Sequence, residues 1–431
     1  MTGEPLGRGQ TGSVLSGWPS LGRESRPWPS TPGQTPWAPS WIPTDGASAE
    51  SIGPHTVEVA AVPPIADRAV ALGPTTSDTV AAAQAAIRVL DETTTVDLTA
   101  LAGGLLRSES VASSKIEHLD ASQRELGMAM LRGVPVHSAA AHVAANVRAM
   151  TAAVAPGAGD VPYHVVDLLH IHRLLMEADP YEGGWAGRLR TMQNWVGGGE
   201  LTPHGALFVP PAPERVPALM NDLVRFCNRT DLDPITQAAI AHAQFETIHP
   251  FTDGNGRTGR ALVHVVLRRR GLTRRTVVPV STVLLADVEG YFAGLDDYRA
   301  GDLDGWVTRF AAAATRAASS GLRLATDLAA LRTRWQEAAR ARRGSAVATL
   351  LEALPGRPVV DIESLRELTG GVADKNIYAA IDRLVASGVL TELSGGGRNR
   401  VWAALGVLEL LERLEGELGR RSPARAVSPR P

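Results

Sequence analysis

The stretch from His249 to Arg260, HPFTDGNGRTGR, puts an imidazole, a carboxylate, an amide, glycines and two guanidinium groups within twelve residues. Phosphate chemistry needs these groups together. An imidazole can accept a proton near neutral pH, and a carboxylate can hold a hard cation such as Mg²⁺. Glycines let backbone N–H groups approach an anion, and arginines neutralise further phosphate oxygens. The residues that follow, ALVHVVLRRR up to Gly271, have helical spacing, arginines in the last turn and a glycine stop. The loop is therefore expected at a helix N-terminus, where unsatisfied N–H groups and the helix dipole favour phosphate. Arg257 and Arg260 are three apart and project from one face. A polar loop that merely caps a helix is the alternative reading.

The same residues match H-x-F-x-D/E-G-N-G-R-x-x-R at every fixed position, and in this the chain resembles the Fic family. The resemblance implies a protein adenylyltransferase that uses ATP and Mg²⁺. His249 would deprotonate a hydroxyl of a target protein, which attacks the α-phosphate and takes AMP. Asp253 would hold Mg²⁺, and Gly254, Asn255 and Gly256 would cradle phosphate. Arg257 would reach the β/γ region and Arg260 the γ-phosphate, with Thr258 and Gly259 also placed on the nucleotide. Relatives that phosphorylate carry lysine where this chain has Gly256, so adenylylation is the expected reaction. Phe251 is expected to anchor the loop in the core.

Upstream, SESVASSKIEH at 108–118 is similar to the family's inhibitory helix, S/T-x-x-x-E-G/N, with Ser113 and Glu117 on one helical face. The resemblance implies that Glu117 pairs with Arg260 and keeps the γ-phosphate from binding productively. An exposed helical carboxylate is the plainer alternative. His118 departs from the usual Gly or Asn, where a left-handed backbone is expected. Residues 194–217 resemble the family's β-hairpin flap, in which Ala206, Leu207, Phe208 and Val209 would offer backbone groups to an extended target peptide. Tyr291 and Phe292 fall where the family often has an aromatic pair near the base, with core packing as the equal alternative. The other histidines, His170, His172 and His242, are expected to be structural, since nothing around them completes a metal site.

These motifs need a scaffold. The chain has 431 residues, 44% of them hydrophobic, with a formal net charge of −2 and one cysteine. That suffices for two or three domains and a large core, and bulk charge favours neither nucleic acid nor a membrane surface. The lone Cys227 excludes an internal disulfide and suits a reducing cytoplasm, the expected location. No signal-like opening and no membrane-spanning run is apparent. We expect a mainly α fold: a Pro/Ser/Gly-rich disordered arm (1–55) carrying Trp18, Trp28, Trp37 and Trp41, an N-terminal helical region with the inhibitory helix (56–160), a Fic helical bundle with its hairpin flap (161–318), a winged-helix α+β domain (325–415) and a basic tail (416–431). The resemblance covers roughly residues 60 to 315.

The winged-helix expectation rests on DIESLRELTGGVADKNIYAAIDRLVASGVLTELSGGGRNRVW, a helix, a glycine turn, a second helix and two strands. Lys375, Asn376 and Tyr378, with Arg398 and Arg400 on the wing, would be its DNA contacts, protein contact or dimerisation being the equal alternative. Expected partners are a target protein, the chain itself included, DNA and a second copy. The second functional reading is a nucleotide-sensing transcriptional regulator.

Overall fold

The computed structural model describes residues 41–46, 55–93, 99–155, 161–197, 203, 205–393 and 399–418. Most of the arm, with Trp18, Trp28 and Trp37, lies outside them, as do Arg398 and most of the basic tail. The end of the expected disordered arm is strand: β1 (Trp41–Gly46) pairs antiparallel with β2 (His55–Ala60), Trp41 opposite Ala60. The alternation HTVEVA, with β-branched residues at every second place, accounts for β2.

The helical body then runs through α1 (Pro74–Thr93), α2 (Thr99–Ile116), α3 (Gln123–Arg132), α4 (Ala139–Val154), α5 (Val165–Met176), α6 (Val216–Cys227), α7 (Pro234–Ile248), α8 (Asn255–Arg269), α9 (Val280–Ala286), α10 (Val288–Arg299) and α11 (Leu303–Ala338). Two elements position the motif. In α7 the Asp233 carboxylate accepts from Ile235 N and Thr236 N, Pro234 takes a first-turn position that needs no N–H, and every side chain from Ile235 to Ile248 is buried. A helix buried on every side, its polar residues included, is central. It lies against α8, and Gly259 lets the two approach: a Cβ there would come within 2.3 Å of Glu246 Oε1 and 2.8 Å of Phe245 Cδ1.

Beyond the body lie α12 (Ala346–Ala353), β3 (Val359–Asp361), α13 (Ile362–Thr369), α14 (Asp374–Ala386), β4 (Thr391–Glu392), β5 (Val401–Ala403) and α15 (Leu405–Leu418), with the strands in antiparallel order β3-β5-β4. Asp361 caps α13 by accepting from Ser364 N, and Gly370 ends it at φ 58°. The junction expected between residues 318 and 325 is not a linker but the middle of α11. Buried Ala317, Ser320, Gly321, Leu324, Leu328, Leu331 and Trp335 continue one helical stripe from the helical body to the C-terminal body. The two bodies share a hydrophobic core, in which Leu324 and Leu328 join Leu350, Leu411 and Trp402.

They also pack tightly at Gly127 of α3, where a Cβ would fall 2.4 Å from Val359 Cγ2 of β3. Gly127→Ala is expected to destabilise the protein by about 1–3 kcal/mol in denaturant titration, with Val359→Ala in the same chain restoring most of the loss. An unchanged unfolding midpoint would contradict this packing.

Candidate active site

The motif loop starts where α7 stops. His249 has φ 49°, a left-handed turn for a non-glycine residue, while its N–H still bonds Phe245 O. Gly254, at φ 74°, then begins α8. Between them Phe251 is fully buried, as expected, and His172 stacks flat on its ring with centroids 3.6 Å apart. The His172 ring nitrogens lie 3.0 Å from Asp253 O and 2.9 Å from the donating Gly187 N–H. Burial lowers its pKa to about 4, so the imidazole is neutral and acts as a brace for the loop.

Asn255 closes the loop: its Oδ1 accepts from Phe251 N at 2.8 Å and its Nδ2 donates to Phe251 O at 2.9 Å. Both ends of that amide are engaged, so Asn255 shapes the phosphate cradle and does not line it. Gly259 likewise leaves the nucleotide set, because it faces α7. Thr258 is fully buried, and its hydroxyl has no partner among the described residues. Tyr291 is a further correction. Its hydroxyl pairs with His242 Nε2 at 2.9 Å, its ring packs on Phe292 and Trp306, and it is buried in the core. His242 is structural, as expected.

The imidazole of His249 is held well below its ordinary pKa, at about 3, by burial and by the nearby cations Arg190 and Arg299. It is neutral at pH 7 and can accept a proton. Asp253 is partly exposed and only loosely paired, its Oδ2 lying 3.4 Å from Arg257 Nη2. Arg257 is buried, yet its Nε and Nη1 have no partner among the described residues. A buried guanidinium left with donors to spare, four residues from an available carboxylate, fits a polyphosphate with its Mg²⁺. That ion commonly takes one or two carboxylates plus phosphate oxygens and water. No group of three or more His, Cys, Asp or Glu that could hold a metal ion is found among the described residues, so the fit depends on the phosphates.

Arg260 is engaged instead. Its Nε donates to Ser113 Oγ at 2.9 Å, and its Nη2 donates to Ser113 O at 2.8 Å and to Glu117 Oε1 at 2.7 Å. Burial works against the charge, but Glu117 more than restores it, and the Arg260 pKa is raised above its ordinary value. Glu117 also sits on the first turn of α8, where a Cβ on Gly256 would come within 1.9 Å of its Oε1. Gly256 is thus small because a carboxylate, not only a phosphate, approaches it. His118 has φ 60°, the left-handed backbone expected there.

Three residues that sequence analysis does not single out complete the site. Glu109 continues the stripe of Ser113 and Glu117 one turn earlier. It lies 2.9 Å from His264 Nε2 and accepts from Ser281, fixing α2 to α8 and α9. The i, i+4, i+8 spacing was the available signal. Glu246 is buried on α7 beside Arg260, with burial pushing its pKa up to about 7. It stands three residues before the motif, on a helix whose side chains are buried from Ile235 onward. Arg190 ties the flap to the loop, donating to His249 O, Met192 O and Pro211 O.

Among the described residues the expected flap shows one β-bridge, Val196 to Phe208. Val196 N donates to Phe208 O and Leu207 N to Val196 O, each at 2.8 Å. Residues 198–202 and 204 lie outside the described ones. Phe208 and Val209 are buried, Arg299 covers the Phe208 ring at 4.0 Å, and Val209 O accepts from Ala60 N. Of the expected four, Ala206 and Leu207 are half-buried, and their N–H groups already donate to Pro203 O and Val196 O.

A Fic/DOC family model matches residues 162–267. The chain is 40% identical over 141 residues to the protein adenylyltransferase fic-1 of Caenorhabditis elegans, which covers 32% of this chain and 24% of that protein. It is 39% identical over 111 residues to the protein adenylyltransferase Fic of Drosophila melanogaster, covering 25% of this chain and 20% of that protein. The chain therefore spans about a quarter or less of these relatives. Among solved structures, a Fic family protein from Desulfovibrio desulfuricans aligns at TM-score 0.49 and 22% identity, over 78% of this chain and 97% of that one. With its signature intact around one buried loop, the segment from residue 162 to 267 is similar to the Fic/DOC family.

Proposed function

We propose that the protein transfers AMP from ATP to a hydroxyl of a target protein and that Glu117 restrains it. The observation that carries the reading is the state of the two arginines: Arg257 is buried with unused donors, while Arg260 is occupied by an internal carboxylate. The relatives named protein adenylyltransferases support the same reaction.

In this reading the α8 N-terminus and Arg257 bind the phosphates, and Asp253 would hold Mg²⁺, which when bound neutralises charge on the triphosphate. The neutral His249 takes the proton of a serine, threonine or tyrosine hydroxyl. Its oxygen forms a bond to the α-phosphorus as the bond to the β-phosphate oxygen breaks, and pyrophosphate leaves. The segment at Ala206 and Leu207, half-buried beside the loop, would align the target chain. Glu117 inhibits twice over. It uses the Arg260 donors that would bind the γ-phosphate, and it places negative charge at a helix N-terminus.

The second reading, a nucleotide-sensing regulator acting on DNA through α14, is favoured only by the exposure of Lys375, Asn376 and Tyr378. The domain neutralises Arg366 with Asp374 and Arg400 with Glu392. A mobility shift with genomic fragments at defined salt tests it, retention independent of Lys375 counting against it.

Glu117→Gly is expected to raise self-modification with labelled ATP on the order of 10-fold, and His249→Ala added to it should remove about 100-fold or more. No gain from the first change would end the brake reading, and undiminished labelling in the double variant would end the role of His249. The neutral form of His249 is the active one, and its pKa lies near 3 in the free protein. In the Glu117→Gly protein kcat/KM should therefore stay flat as pH falls from 7.5 to 5.5. A fall with a midpoint at 6.5 would contradict that environment. The acid limb of kcat should lie higher, since the bound triphosphate's charge favours imidazolium.

A further inference from the structure

Arg107 stands on α2 ten residues before Glu117, and it is 5% exposed. No carboxylate among the described residues pairs with it. Its Nη1 meets Met130 Sδ and its Nη2 donates to Gln123 O, both at 3.3 Å, and its Nε has no partner. Burial alone lowers its pKa to about 10, so it is charged at pH 7 and uncompensated. A buried cation without a counter-ion is costly, and removing it in favour of an apolar side chain of similar volume normally stabilises a protein. Here it lines a cavity of about 330 Å³ between α2 and α3 on one side and the C-terminal body on the other.

The rest of the lining defines what would fit. Met130, Leu131 and Val359 give one apolar side beside the guanidinium. Asp361, Glu363 and Glu367 line the cavity opposite the single further cation Arg357, which is itself paired with Glu367 at 3.1 Å. That excess of negative charge disfavours a doubly charged anion, while a single carboxylate on a short apolar chain matches Arg107 and its neighbours. The volume lies at the small end of ligand pockets.

We propose that this cavity binds a small organic monocarboxylate, its carboxylate held by Arg107 and its apolar chain against Met130, Leu131 and Val359. The site is separate from the catalytic loop, and its existence does not depend on the adenylylation reading, because binding is measured without turnover. A carboxylate seated there draws on the guanidinium that now holds Gln123 O. Gln123 in turn donates through Nε2 to Glu415 of α15 at 2.6 Å, and Glu415 also bonds Lys115, two residues before Glu117. The cavity thus adjoins the segment that fixes the end of α2.

The test is thermal melting of the full chain, with calorimetric titration, at constant ionic strength and pH 7, with isobutyrate, its neutral amide isobutyramide, and inorganic phosphate. Isobutyrate should raise Tm saturably, by about 2 °C at ten times its half-saturating concentration, and the other two should not. Two variants should lose that shift: Arg107→Met, which removes the charge, and Leu131→Trp, which fills the cavity and leaves Arg107 in place. Arg107→Met without ligand should melt above wild type, the reverse of what a stabilising structural arginine gives. Absence of a shift in the wild type, an equal shift with isobutyramide or phosphate, or a shift retained in both variants would overturn the proposal.

Discussion

The architecture turns on a guanidinium that cannot be left alone. Arg260 is buried under α2, α7 and α10, and a charge at such a depth requires partners with matched geometry. Ser113 and Glu117 supply them from a helix about 140 residues away in sequence, and this forces α2 to lie antiparallel along α8, Glu109 reaching His264 at one end and Glu117 reaching Gly256 at the other. Replacing Glu117 by a phosphate is electrostatically an exchange of one anion for another. The arginine is never left bare, so an exchange of this kind carries little desolvation cost, and control can rest on a modest free-energy difference.

Around that contact the loop is made rigid by hydrogen bonds. His172 braces Asp253, Asn255 staples Phe251, and Arg190 joins the base of the flap to His249. Burial, aided by the charges of Arg190 and Arg299, keeps His249 neutral. Positioning and electrostatic preparation account for most of what a phosphoryl or nucleotidyl transfer asks of a protein.

Much of this was legible in the residue order. The loop, its helix, the α2 stripe and the helical class followed from spacing and residue type, and the left-handed turn at residue 118 was readable from the glycine or asparagine that usually stands there. What could not be read was long-range occupancy. Spacing cannot reveal that the Tyr291 hydroxyl belongs to His242, that Gly259 serves a helix crossing, or that Val209 O is taken by Ala60, because each depends on a partner many residues away. Glu246 and Arg107 were hidden for the same reason: a charged residue within a helix reads as a solvated face until the packing on every side is known. The gap expected between residues 318 and 325 is spanned by α11, whose buried stripe runs through it without a break.

That uninterrupted helix has a mechanical meaning. At one end α11 is fastened beneath the catalytic loop, where Trp306 donates to Ala239 O and packs on His242 and Tyr291; at the other, Leu331 and Trp335 are set in the core of the C-terminal body. A flexible tether would dissipate a displacement of either end, whereas a rod of 36 residues, about 54 Å long, carries torque. The far body is therefore joined to α7 through continuous helix and shared core, with no linker between them.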